Sequence, residues 1–151
     1  MLRLVEMFKI EVDSTINFER AHFFHNQKAF LQCLPDVEKR FPLNDDRGKV
    51  EIFIYEVTAE EMTNDQLNEE LFRNHWRMAG SRIGLSLMSD QQIRWRMREK
   101  YPTVFFTETW HDGNVPRRLA FCEGMHKFGT MLGIIPMAPI SKGDKFLVVK
   151  V

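Results

Sequence analysis

The sequence predicts an α+β fold, a single mixed domain over residues 1–151 with about four strands and about four helices. Two observations predict this class. Apolar residues alternate with polar ones at the period of a strand in some segments and recur at helical spacing in others. In addition, 151 residues suit one domain with its own core, and no repeat, low-complexity run or long linker divides the chain.

The first third of the chain predicts two strands and a helix. From Phe8 onward, apolar and charged residues alternate, which predicts a strand over residues 3–12. Apolar positions then recur at helical spacing until Pro35 ends the run, which predicts a helix over residues 15–34. The next strand is predicted over residues 49–57, and it carries apolar side chains on both faces, as a covered strand does.

Two capping patterns predict helices in the middle of the chain. Thr58-Ala-Glu-Glu61 resembles a capping box, so we expect a helix over residues 59–79 that Gly80 can close. A second pattern, Ser89-Asp-Gln-Gln92, predicts another helix, and Pro102 stops it.

The last third leaves one alternative open. A strand is predicted over residues 103–110, followed by a turn. Asn114 can then cap a helix that has Pro116 in its first turn. Alternatively, Asp112-Gly113 closes a hairpin whose second strand covers residues 115–122. A closing strand is predicted over residues 144–150.

Charge is separated into two blocks in this formally neutral chain. The acidic block, Glu56 to Glu70, contains no Lys or Arg. The basic block, Arg73 to Lys100, contains seven basic residues against two acidic ones. Arginine matches phosphate geometry, and tryptophan offers a plane for stacking. The candidate residues for binding an anion or a partner are Arg73, Trp76, Arg77, Arg82, Arg94, Trp95, Arg96 and Arg98.

Glycines in the basic block suggest a phosphate loop. Gly80-Ser-Arg-Ile-Gly84 can bring backbone N–H groups up to an anion. The order Arg77-x-x-Gly80-x-x-x-Gly84, helix, strand, helix and closing strand loosely resembles the second half of the GNAT acetyltransferases. In that family a Gly-rich loop holds the coenzyme A pyrophosphate, so the resemblance implies an acyl-CoA ligand. It covers less than half of the chain, and both the glycine spacing and the helix predicted before the loop depart from the family.

Two Glu-x-x-His motifs are candidate metal ligands. Residues three apart share a face of a helix, and two such pairs with two further glutamates form a carboxylate-bridged di-metal site. The same spacing also describes polar pairs on surface helices, and the predicted strands do not fit the helical bundle that such sites occupy. The candidates are Glu19, His22, Glu123 and His126.

A polar cluster at a predicted strand end is the candidate for catalysis. Glu108, His111 and Asp112 lie where catalytic groups often collect in α/β proteins, although the same residues also build ordinary turns. No Ser or Cys stands in a nucleophile motif, and no cofactor is predicted.

Two classes of function fit these patterns. The first is a non-catalytic interaction or assembly module, such as a viral structural or accessory protein, whose partners are itself or other protein subunits. The second is a binding protein or enzyme that acts on a phosphate-bearing ligand, such as nucleic acid, a nucleotide or acyl-CoA, through the basic block. Buried tryptophans at Trp76 and Trp95 would favour the first class, whereas tryptophans lining a basic cleft would favour the second.

Composition and charge also predict a location and a mode of assembly. The apolar runs are too short to cross a bilayer, and the two cysteines suit a reducing compartment, so we expect the cytoplasm, or the virion if the protein is viral. The two charge blocks can neutralise each other within the fold or pair between copies. We expect a homo-oligomer, or a place in a larger assembly, whose self-association weakens as salt rises.

Overall fold

A seven-stranded mixed sheet forms the centre of the protein, with helices on both of its faces. The computed structural model describes residues 1–21, 36–101, 103–123, 130–137 and 139–151. The helices are α1 (Phe18–Ala21), α2 (Asn64–Arg73), α3 (Ser81–Ser89) and α4 (Gln91–Lys100), and residues 36–40 are also helical. The strands are β1 (Leu2–Val12), β2 (Gly48–Val57), β3 (Glu61–Met62), β4 (Trp76–Met78), β5 (Thr103–Asp112), β6 (Val115–Glu123), β7 (Thr130–Pro136), β8 (Ile140–Ser141) and β9 (Lys145–Lys150).

The strand order in the main sheet is β1-β2-β9-β5-β6-β7, and β4 pairs with β9 beside β5. The pairs are antiparallel except that of β5 with β9, which is parallel at Phe105 and Phe146. Strands β3 and β8 form a separate two-stranded sheet. Within the described residues, β1 and β7 are therefore the two edges of the main sheet.

Each face of the sheet has its own apolar core. Helices α3 and α4 cover one face, where Ile52 and Ile54 of β2 are buried. Helix α2 covers the other, where Phe53 and Tyr55 of the same strand are buried. The prediction that β2 is apolar on both faces is thus confirmed, because alternate residues of a strand point to opposite sides. We refer to these as the α3 face and the α2 face.

The predicted count of about four strands and about four helices is wrong. Across the described ranges the chain forms nine strands, and three of its helices have nine or ten residues. The predicted helix 59–79 consists of β3, α2 and β4. The capping box belongs to Thr63 and Gln66, not to the earlier threonine. His75 follows α2 at a positive φ of 58°, and the chain then pairs with β9, so tertiary pairing overrides the apparent helical pattern.

Helix α3 was not predicted. Seven of its nine residues are buried, two serines among them, so it has little of the exposed polar face that marks a surface helix. The two glycines of the Gly80-Ser-Arg-Ile-Gly84 segment suggested a loop, but Gly84 lies inside the helix against Phe106.

The hairpin alternative is correct for the chain after β5, and the helix predicted from Asn114 is wrong. Asp112 pairs with Val115 across a turn in which Gly113 has a φ of 62°. Side chains of β6 then alternate between the two faces, with Leu119 on the α3 face and Ala120 on the α2 face. Of the predicted helix 15–34, residues 22–34 lie outside the described residues.

Candidate functional site

The basic block does not form one continuous element. Arg73 ends α2, Trp76 and Arg77 lie in β4, Arg82 lies in α3, and the remaining candidates lie in α4. The side chains of Arg94, Trp95 and Arg98 are outside the described part of the structure. Their contribution to a binding surface therefore stays a prediction.

Three arginines of the basic block form ion pairs within the fold. The Arg73 guanidinium lies 2.5 Å from the carboxylate of Glu69, one helical turn earlier. Arg77 lies 2.6 Å from Asp46, in the loop before β2. Arg96 pairs with Glu6 of β1. These cations are consequently neutralised locally, which reduces their availability for phosphate.

Members of the acidic block are also paired within the fold. Glu56 lies 2.5 Å from Arg3, and the hydrogen bond from this arginine holds the pKa of Glu56 below its usual value. Glu70 lies 3.2 Å from the amino group of Met1. Of the described pairs, that of Arg73 with Glu69 joins the two blocks, and the other partners come from elsewhere in the chain.

Trp76 packs against the fold, on the α2 face of the sheet. Its ring lies 4.3 Å from that of Tyr55, and it packs against the core of the α2 face. Burial there raises the pKa of Tyr55. Trp76 is thus half-buried against the α2 face, and because the Trp95 side chain lies outside the described part of the structure, the test set by the two tryptophans stays open.

An intramolecular cap occupies the glycine-rich helix start. Gly80 is the N-cap of α3, and Oδ1 of Asn44 accepts a hydrogen bond from the Arg82 backbone N–H at 3.3 Å. A Cβ atom on Gly80 would lie 2.6 Å from this oxygen. Gly80 is thus required for the close approach of Asn44, which takes the place where an anion was expected.

A cleft of about 300 Å³ lies next to this cap, between residues 40–44, β4 and β5. Arg40, Arg77 and Glu108 are the charged residues that line it. Arg40 also stacks on the ring of Trp110 at 3.9 Å, and the buried Ser81 hydroxyl donates to the carbonyl of Phe41. The cleft can accept a small polar ligand, but several of its polar groups already have partners.

A β-bulge shapes one wall of the cleft. The register of β5 with β6 shifts between Phe106 and Trp110, and Thr107 has a positive φ of 66°. Bulges of this kind re-aim side chains and are frequent near functional sites. Here the bulge turns the Thr107 carbonyl toward the fully buried Arg118, which donates to it at 2.5 Å.

Sequence reasoning missed Arg118. Its second terminal nitrogen donates to Oδ1 of Asn64 at 3.1 Å, and its Nε has no partner among the described residues. Burial lowers the pKa of Arg118 to about 10, and the charge of Glu108 opposes this shift. The alternation of β6 would have placed Arg118 on a covered face, had the hairpin been preferred over the helix.

The other sequence candidates do not converge on the cleft. Glu108 lines it, whereas Asp112 lies at the end of β5, where its carboxylate is 3.3 Å from Arg117. His111 precedes it on the same strand and is exposed. Among the described residues, no hydrogen bond or shared cleft joins Glu108, His111 and Asp112 as a catalytic site would require.

The metal hypothesis stays a prediction. Glu19 lies in α1, and Glu123 ends β6, which is a strand rather than the helix that the motif requires. His22 and His126 lie outside the described residues. Among the described residues, no group of three His, Cys, Asp or Glu side chains is placed to hold a metal.

Glu6 is a second polar centre that the sequence did not reveal. Its side chain is 8% exposed, and it accepts a hydrogen bond from the Tyr101 hydroxyl at 2.6 Å as well as the contact with Arg96. Burial, followed by the hydrogen bond to Glu6, raises the pKa of Tyr101 to about 12. Through these contacts with Glu6, Arg96 and Tyr101 link the end of α4 to β1.

The outer edge of β1 is an exposed feature that suits a partner. The strand has eleven residues, whereas strands usually have five or six. Leu4 and Met7 are 50% and 48% exposed, and they lie opposite Tyr55 and Phe53, on the α2 face. Phe72 of α2 is 81% exposed, and the amino group of Met1 pairs with Glu70 of the same helix. We call the β1 edge with Met1, Leu4, Met7 and Phe72 the N-terminal surface.

Comparisons with known proteins do not assign this chain to a family. No family model, no curated protein and no solved structure matches it. In the described part of the chain, no helix is long and apolar enough to span a membrane.

Proposed function

We propose that the protein is a non-catalytic interaction module that assembles through the N-terminal surface. The observation that carries this proposal is the eleven-residue edge strand β1 with half-exposed Leu4 and Met7. An edge strand presents a row of backbone N–H and C=O groups that another strand can pair with. Protein partners commonly bind by adding a strand to such an edge.

The apolar side chains beside the edge support the same function. Met1, Leu4, Met7 and Phe72 are four of the six large apolar residues exposed in the described structure. Leu4 and Met7 lie on the face that α2 covers, and α2 carries Phe72. Several exposed apolar residues on one face are typical of an interaction site, whereas single ones need no explanation. The partners are copies of this chain or other protein subunits, in the cytoplasm or in a virion.

Hydrogen exchange at several protein concentrations tests the proposal. We expect the particle mass in light scattering to rise with concentration, and the amides of β1 to become more protected as it rises. The amides of β7, the other edge of the described sheet, serve as the internal control. A monomer at every concentration and every salt, or new protection confined to β7, would contradict assembly through the N-terminal surface.

The cleft favours a second candidate, binding of a small phosphate-bearing ligand. Arg40 and Arg77 line it together with the start of α3. Titration with inorganic phosphate and with a nucleotide at low salt, where phosphate contacts are strongest, tests this function. Arg40→Gln should remove any binding, whereas Arg117→Gln, outside the cleft lining, should not. Wild-type protein that binds neither ligand rules the candidate out.

A further inference from the structure

We infer that the partner at β1 is a second copy of this chain, paired antiparallel across a twofold axis at Ile10. This inference rests on the proposed function and places the pairing in the C-terminal half of the β1 edge, because residues 8–12 then face each other, whereas Leu4 and Met7 lie opposite residues beyond the partner's β1. In this arrangement Ile10 lies opposite its own copy, and Lys9 lies opposite the partner's Glu11. Symmetry produces this charge pair twice, so one contact is used on both sides, as in the usual isologous dimer.

The two charged residues are placed for such pairing. Lys9 and Glu11 are exposed and lie on the same face of β1, two residues apart. Within one copy, Lys9 is opposite Glu51 of β2, with 4.0 Å between the charged atoms, and Glu11 is opposite Lys49. Positive and negative side chains therefore already alternate across two strands.

The second copy would continue this alternation over four strands. One row would read Lys49, Glu11, the partner's Lys9 and the partner's Glu51. The other row would read the same residues in the reverse direction. Opposite charges on facing strands stabilise a sheet, and like charges destabilise it. Each charge at the edge would thus gain an opposite neighbour on its open side.

The same two residues exclude neighbouring registers. A shift that moves the axis to Lys9 places two lysines opposite each other, and a shift to Glu11 places two glutamates opposite each other. Moving the axis by one residue shifts the pairing by two residues. A pairing shift of one residue would turn the apolar side chains of one copy to the opposite face of the joint sheet. Toward the N-terminus, the β1–β2 register shifts between Leu4 and Glu6, so the regular part of the edge is the part around Ile10. Charges that normally protect an edge would here select one partner and one register.

Complementation between two charge-reversal variants tests the inference. Lys9→Glu places glutamates opposite glutamates in the dimer, and Glu11→Lys places lysines opposite lysines. We expect each variant alone to dimerise at least about tenfold more weakly than wild type. An equimolar mixture of the two should recover dimerisation, because each glutamate then faces a lysine of the other variant. Misfolded variants cannot complement in this way.

The outcomes separate the two proposals. Lys49→Glu, a reversal one strand away from the edge, serves as the matched control and should change dimerisation less than either edge variant. Sedimentation velocity, with one variant labelled, reports the mixed dimer directly. Association of the wild type that ignores both edge reversals overturns the twofold pairing and leaves the proposed function standing. If the mixture of the two variants does not recover dimerisation, the twofold pairing is likewise overturned and the proposed function stands. A wild type that never associates overturns both.

Discussion

Replacing Gly84 by alanine tests how α3 is joined to the sheet. A Cβ atom on Gly84 would lie 2.3 Å from a ring carbon of Phe106, and real Cβ atoms essentially never approach other atoms closer than 3.0 Å. The ring has little freedom to turn away, because Phe106 is fully buried and its centroid lies 4.5 Å from that of Phe121. The added methyl group must therefore displace α3 or the aromatic pair.

Two opposing effects set the size of the change. Overpacking a core typically costs about 1–3 kcal/mol. Replacing glycine by alanine inside a helix gains about 1 kcal/mol. If the clash costs about 2 kcal/mol, the middle of that range, the gain in helix propensity offsets about half of it. We therefore expect Gly84→Ala to lower the free energy of unfolding by about 1 kcal/mol.

A double-mutant cycle with Phe106→Leu isolates the clash. Leucine lacks Cε2, the nearest ring atom, and Cζ, and its Cδ atoms can turn away, so in that background the alanine should stabilise α3 through its helix propensity. Urea unfolding followed by circular dichroism measures all four proteins, and we expect a coupling energy of about 2 kcal/mol. If Gly84→Ala stabilises the wild type as much as it stabilises Phe106→Leu, the packing explanation for Gly84 is wrong.

Three further predictions concern pH, salt and phosphate. Because the pKa of Tyr101 is raised to about 12, its contribution to stability is complete below the unfolded pKa near 10 and is lost as pH rises toward 12. The free energy of unfolding in urea should fall more between pH 10 and pH 12 in wild type than in Tyr101→Phe. Equal dependence on pH in the two proteins would contradict this. Dimerisation through Lys9 and Glu11 should weaken from low to high salt in sedimentation experiments, and a salt-independent dimer would exclude charge pairing. If the basic block binds nucleic acid, Arg94→Glu with Arg98→Glu should abolish binding at low salt, and a wild type that binds none removes this idea.

Sequence reasoning located best the strands that show alternation, such as β1, or a short apolar run between charged residues, such as β9. Strand β1 was predicted over residues 3–12 and β9 over residues 144–150, each within a residue or two of its observed bounds. In β1, buried Phe8, Ile10 and Val12 alternate with exposed charged residues, so the period of two is directly visible.

The elements that were missed or misassigned lack a readable period or depend on distant partners. Helix α3 is short and buried on nearly all sides, and its buried residues include serines and a glycine, which are typical of loops. Strand β4 has three residues and exists because it pairs with β9, about seventy residues later in the chain. Strand β6 contains Arg118, a charged residue on a covered face, which hid the alternation that a strand shows.

The candidate site was predicted less well than the fold, for a related reason. Segregation of charge along the sequence does not determine which charges meet in space. Arg96 was assigned to a binding surface, but it pairs with Glu6, ninety residues away. Lys9 and Glu11 served only as the polar half of an alternating pattern. Their relevance to assembly depends on β1 being an edge, which is a property of the sheet topology.

The two sheet edges imply different assemblies, and particle mass distinguishes them. Strand β7 contains no charged residue, so a partner cannot be selected there by charge. Pairing of β1 with β7 of another copy would join unlike surfaces, which continues into a ring or an open filament. Pairing of β1 with itself uses up the edge and stops at two copies. We therefore expect the mass to reach a plateau at twice the monomer as concentration rises. Growth beyond two copies that is indifferent to charge reversal at Lys9 would show that unlike edges pair instead.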